Sequence, residues 1–141
     1  AQLAKYLEEK GELAEAINKD KPENVKKEIG DCIFTLIGVA KFKQVDFDFE
    51  IKLESPLVKK RNDLIYEMVL IDFETQHLWN ALLNYKTKNI VKSLINIMLQ
   101  LLIIASRFGF TLDECLEAAI NKNSGRNGKF KNMIYIKEED L

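Results

Sequence analysis

The sequence predicts an all-α protein whose four-helix-bundle core comes from two tandem repeats, each with two long helices and a short one. Three observations carry that expectation. Apolar residues recur at a helical period along most of the 141 residues. Only two Pro and six Gly punctuate the chain, so few turns are obligatory and long elements follow. Shifting the sequence by 65 residues aligns its halves without a gap through the central region.

The elements follow in order. Leu3, Leu7, Leu13, Ala14, Ala16 and Ile17 share a helical face, and the segment from Asn18 to Pro22 ends that helix. Pro22 suits the first turn of the next helix. Val25, Ile29, Cys32, Ile33, Leu36 and Ile37 run down one face of it to about Phe42. After a break at Gln44-Val45-Asp46 comes a short amphipathic piece, Phe47 to about Glu54, which either caps the bundle or makes an oligomer contact through Phe47, Phe49 and Ile51. Ser55-Pro56 separates it from a helix spanning about Leu57 to Asn84, and another helix spans Thr87 to Phe108, stopped by Gly109. Thr111 and Glu114 form a capping-box pattern for a helix from Leu112 to Asn123. A loop through Gly128 leads to Lys131–Lys137, read as a short strand or an extended arm.

The 65-residue shift pairs Leu13 with Leu78, Ala16 with Ala81, Lys21 with Lys86, Asn24 with Asn89 and Lys27 with Lys92. It also pairs Leu36 with Leu101, Ala40 with Ala105, Asp48 with Asp113 and Arg61 with Arg126, and the helix breaks coincide. Helical phase alone would align apolar positions, but matched identities together with matched breaks favour duplication. The expectation is one domain over 1–141, with repeats at about 3–61 and 68–126 and a C-terminal arm at 127–141.

Composition excludes several classes. With 47% hydrophobic and 30% charged residues, a packed core is expected and wholesale disorder is not. A net charge of −1 gives no case for a protein that coats nucleic acid. Cys32 and Cys115 are far apart and in no C-x-x-C pattern, so neither a disulfide scaffold nor a thiolate zinc site is expected. The first residues lack the apolar core of a signal peptide. The most apolar stretch, Ile90–Ala105, is shorter than the roughly 20 residues of a membrane span and carries a polar stripe of Lys92, Asn96 and Gln100. The expectation is a soluble, cytoplasmic protein without a membrane partner.

The charges are unevenly divided. Residues 1–74 hold 16 acidic and 12 basic side chains, whereas residues 75–137 hold 3 acidic and 9 basic ones. An acidic half facing a basic half suits a protein that handles a metal–phosphate complex.

The acidic half supplies the candidate chemistry. Glu9 and Glu12 are spaced i, i+3, and so are Glu28 and Asp31 on the next helix. If those helices are antiparallel, four carboxylates converge. Such a cluster is unstable alone, because like charges raise one another's pKa and burial penalises them. A divalent cation resolves that, and oxygen donors without His or Cys suit Mg²⁺, with Mn²⁺ as the alternative. Because Mg²⁺ bridges readily to phosphate oxygens, a nucleotide is the natural substrate class. Singly, each glutamate is better read as a solvated side chain; together, the apolar neighbours Val25, Ile29, Cys32 and Ile33 favour a site. Gly11 and Gly30 lie inside helices, where close approach of a helix or ligand would account for them.

The set Glu8, Glu9, Glu12, Glu28 and Asp31, written Glu-Glu-x-x-Glu and then Glu-x-x-Asp, resembles the motif of the MazG-like, all-α nucleoside triphosphate pyrophosphatases, whose superfamily includes dimeric dUTPases. The resemblance is strongest over Leu3–Phe42 and extends weakly to Arg126. It implies hydrolysis of a (d)NTP to (d)NMP and pyrophosphate, with Glu9, Glu12, Glu28 and Asp31 as Mg²⁺ ligands and Glu8 or a metal-linked carboxylate orienting the water. It further implies that Lys122, Asn123 and Arg126, with Lys129 beyond them, hold phosphates, although a solvated basic tail fits the same residues. A homodimer is also in keeping with the resemblance.

The second half departs from the motif: Glu9 has its counterpart in Glu74, but Glu12, Glu28 and Asp31 become His77, Ser93 and Asn96. Repeat two is therefore expected to complete the bundle and to contribute pocket walls and phosphate-binding groups rather than hold a second metal. His77 is a candidate substrate contact, though Leu78, Trp79 and Leu82 around it favour a core position. Trp79 suits base stacking and helix packing equally. Lys59-Lys60-Arg61 reads as a solvated face. The rival to an enzyme is a non-catalytic relative that binds nucleotides or a partner protein through the same bundle.

Overall fold

The computed structural model describes residues 2–45, 64–124, 128–131 and 134–137, with side chains through Asn121. Five helices and a hairpin make up these residues: α1 (Gln2–Asn18), α2 (Pro22–Phe42), α3 (Leu64–Leu83), α4 (Thr87–Arg107), α5 (Leu112–Ser124), β1 (Gly128–Lys131) and β2 (Ile134–Lys137). The all-α expectation holds. The expected helix at Phe47–Glu54, the start of the third long helix near Leu57 and the basic run Lys59-Lys60-Arg61 lie outside the described residues.

The helix limits follow local chemistry. Pro22 opens α2, where its missing N–H costs nothing. At α5 the capping box is reciprocal: Glu114 N–H donates to Thr111 Oγ1, and Thr111 N–H donates to Glu114 Oε1, both at 3.1 Å. The breaks recur 65 residues apart with the same backbone. Asp20 and Tyr85 both take left-handed φ, 52° and 53°, and Lys21 N–H and Lys86 N–H donate to Ala16 and Ala81 carbonyls. Gln44 (φ 55°) and Gly109 (φ 82°) close α2 and α4 in the same way, followed by Val45 N–H to Ala40 O and Phe110 N–H to Ala105 O.

α1 packs on α2 and α3 on α4, and α2 also carries α5 and touches α4. Val25, Ile29, Cys32, Ile33, Leu36, Leu94, Ile97, Met98, Leu101 and Ile104 form the centre. The α1 phase differs from expectation. Tyr6 is fully buried while Leu7 is half-exposed, because the inward stripe is Tyr6, Glu9, Leu13 and Ala16. Tyr6 Oη lies 2.9 Å from Thr75 Oγ1, and Lys10 pairs with Asp72, so α1 meets α3 across the bundle. On α3, Ile65, Tyr66, Val69 and Phe73 remain exposed.

Two corrections concern the second half. The extended segment is a hairpin, with β1 antiparallel to β2 and Lys129 opposite Ile136, where one strand or an arm was expected. α4 is 21 residues long, and by length and composition it is apolar enough to cross a membrane, contrary to the shorter stretch read from the sequence. Half of its apolar window is buried within the bundle, as for a core helix.

Candidate metal centre

Glu9 reaches inward from α1, and Glu28 and Asp31 from α2. Each offers a carboxylate oxygen, and these oxygens lie within 4.8 Å of one another. All three residues are buried, at 7%, 9% and 9% exposure. Charged carboxylates are seldom buried without a partner, so their surroundings decide what they can do.

The pairing present is incomplete. Lys27 donates to Asp31 Oδ2 at 2.8 Å and to Glu28 Oε1 at 3.3 Å, and Lys5 Nζ lies 3.3 Å from Glu9 Oε1. Burial opposes the Lys27 ammonium, but Asp31 and then Glu28 outweigh it and hold its pKa above the usual range. Glu9 Oε2 and Glu28 Oε2 are buried without a hydrogen-bond partner. Burial, and then Glu9, push the Glu28 carboxyl up to about 7; Lys27 opposes this and Glu12 adds to it. Three converging carboxylates with two unsatisfied oxygens fit a divalent cation, which would satisfy both at once. Cys32, beside them, stays a thiol because burial and then the charges of Glu9, Glu28 and Asp31 raise its pKa. The donor set is therefore all oxygen, which favours a hard cation.

Of the five residues in the sequence motif, Glu9, Glu28 and Asp31 converge. Glu12 is exposed at the rim, within reach of Glu28. Glu8 is exposed and held by Lys5 at 3.3 Å. Gly30, between the two α2 carboxylates, is where α5 presses closest. A Cβ there would lie 2.0 Å from Cys115 O and 2.8 Å from Ala119 Cβ. The expected close approach thus holds at Gly30, whereas nothing lies within 4 Å of a Cβ placed on Gly11. The bridging role of Lys27 was not read from the sequence; its i, i+4 spacing to Asp31 was the available signal.

The substrate-contact candidates are spread out. His77 is exposed, not in the core, with its ring edge-on to Phe73 at 4.8 Å. It faces outward because Leu78 and Leu82 take the inward positions of α3. Trp79 is half-exposed and borders an apolar hollow with Leu3 and Leu7, on the side of α1 opposite Glu9 and Glu12. Lys122 and Asn123 fall on α5 and Lys129 on β1, with their side chains outside the described residues, as is all of Arg126.

Fold and site together define a helical bundle with a buried, all-oxygen candidate metal centre. Residues 1–62 match the family model of the MazG nucleotide pyrophosphohydrolase domain, so the resemblance carried by Glu8, Glu9, Glu12, Glu28 and Asp31 holds over the segment that contains them. That domain points to nucleotide pyrophosphohydrolase activity in general, and the all-helical architecture agrees with it. Neither a curated protein nor a solved structure matches the chain.

Proposed function

We propose that the protein is a Mg²⁺-dependent hydrolase that cleaves a (d)NTP between its α and β phosphates, giving (d)NMP and pyrophosphate. The observation that supports this most is the buried trio Glu9, Glu28 and Asp31, with two orphaned carboxylate oxygens, inside the segment matched by the pyrophosphohydrolase domain. Glu9, Glu28 and Asp31 would hold the cation, with Glu12 completing the set from the rim; Mn²⁺ suits the same oxygens. When bound, the cation supplies charge neutralisation on the phosphates and activation of a water. The protein's own part is positioning. Lys27 keeps Asp31 and Glu28 fixed on α2, and α5, seated on Gly30, keeps α2 fixed on the bundle. To Glu8 and Glu12, which face solvent on α1, we assign the role of accepting a hydrogen bond from the attacking water. Lys122, Asn123, Arg126 and Lys129 remain our proposed phosphate contacts, and His77 and Trp79 our proposed contacts to the rest of the substrate. The exposed apolar residues of α3 favour a homodimer, which light scattering would test.

The test is pyrophosphate release from a panel of dNTPs and NTPs with Mg²⁺. Turnover of at least one nucleotide, abolished by EDTA, supports the reading. A second reading, a non-catalytic nucleotide- or partner-binding relative, draws on Ser93 and Asn96 replacing two carboxylates in the second half. Nucleotide binding without turnover on the whole panel would establish that one instead.

A further inference from the structure

Between α3 and α4 lies a cavity of ≈340 Å³ bordered by Glu74, His77, Lys86, Lys92, Ser93 and Asn96. It occupies, 65 residues on, the position of the carboxylate centre between α1 and α2: Glu74 stands for Glu9, His77 for Glu12, Ser93 for Glu28 and Asn96 for Asp31. The turn that leads into it has the same backbone as its counterpart, so the frame is kept while the chemistry changes. In the first half Lys27 is neutralised by Glu28 and Asp31. Its counterpart Lys92 has Ser93 and Asn96 in those places, and the ion pairs among the described residues involve neither Lys92 nor Lys86. Glu74 and the ammonium groups of Lys86 and Lys92 border the cavity, where the first half brings three carboxylates together. Asn80, Asn89 and Asn96 add amide donors that require no metal. The volume falls in the range of small-molecule sites.

We infer that this cavity is a second ligand site, which takes the phosphate group of a small phosphorylated compound directly, without a divalent cation. Lys92 and Lys86 supply the charge, and the asparagine amides and Ser93 supply hydrogen bonds. The inference does not rest on the hydrolytic reading, because its ligand is bound metal-free by groups on α3 and α4, whereas the carboxylates proposed to hold the hydrolytic cation lie on α1 and α2.

The experiment is calorimetric titration of the full chain in EDTA with three probes: inorganic phosphate, pyrophosphate and a nucleoside monophosphate. At least one should bind. Lys92→Gln should weaken that probe by about tenfold or more, the loss expected for one charge-assisted hydrogen bond. Asn96→Asp, which sets a carboxylate beside Lys92 as Asp31 stands beside Lys27, should weaken it similarly. Lys27→Gln should leave it unchanged. Lys92 is exposed, so its replacement leaves the core intact. Absence of binding by all three probes, or equal weakening by Lys27→Gln and Lys92→Gln, would overturn the inference. Failure here leaves metal-dependent pyrophosphate release standing, and failure of that release leaves this site standing.

Discussion

A Cβ on Gly30 would lie 2.0 Å from the carbonyl oxygen of Cys115. No side chain fits that gap, so α5 rests on bare backbone between two of the candidate metal ligands. Gly30→Ala should push α5 off α2, costing about 2–4 kcal/mol. It should also lower Mg²⁺-dependent turnover, because Glu28 and Asp31 flank the displaced turn. Chemical denaturation and activity assays check the two effects; an unchanged midpoint would contradict the contact.

Gly11 predicts the opposite. Nothing lies within 4 Å of its virtual Cβ, and it sits inside α1. Gly11→Ala should stabilise the protein by about 1 kcal/mol through helix propensity alone. Thermal unfolding should show a midpoint raised by about 2–4 °C. A lowered midpoint would mean that Gly11 meets something α1 does not reveal.

The link between the two hairpins is also testable. Thr75 Oγ1 donates to Ile71 O at 2.7 Å, which leaves Tyr6 as the donor in the 2.9 Å bond to Thr75. Tyr6→Phe keeps the packing and removes that bond, so the expected loss is about 1 kcal/mol, read by urea denaturation.

The Glu28 carboxyl titrates near 7 in the folded protein, against 4.5 as its ordinary value. The folded state therefore holds this proton more tightly than the unfolded chain. Metal-free protein should lose stability as pH rises from about 4.5 to 7 through this group, and Glu28→Gln should flatten that slope. Divalent cations bind the ionised form, so their affinity should rise across the same interval. Melting of EDTA-treated protein at pH 5 and 7.5 checks the first point. Identical slopes in wild type and Glu28→Gln would contradict it.

Most of the fold was legible because its boundaries have local causes. Pro22, Gly109 and the Thr111–Glu114 box mark helix ends whatever the tertiary structure does. The hairpin was harder, since its strands are four residues each and no Gly or Pro sits between Lys131 and Ile134. Tyr6 taking the core place of Leu7, and His77 facing solvent, follow from the rotation of helices against each other, which periodicity constrains only to within a turn. The i, i+3 spacings announced the site, yet spacing could not say that Glu12 stops at the rim while Glu9 is buried. Nor could a sequence show that Lys27 is shared by two carboxylates.

The site residues divide by role. Glu12→Gln and Asp31→Asn should each lower turnover by about 100-fold or more, beyond the range for changes that only support a ligand. Helical circular dichroism should be unchanged. His77→Ala, outside the carboxylate group, should be much milder. Equal loss in all three would contradict a single site on α1 and α2.

The most direct measurement is Mn²⁺ uptake followed by electron paramagnetic resonance, since free and bound Mn²⁺ differ in signal whether or not a nucleotide is present. The wild-type chain should remove the free-Mn²⁺ signal, and Glu9→Gln and Asp31→Asn should lose this capacity while staying folded. A wild-type chain that leaves Mn²⁺ free, or variants that take it up as wild type does, would contradict a metal centre at Glu9, Glu28 and Asp31.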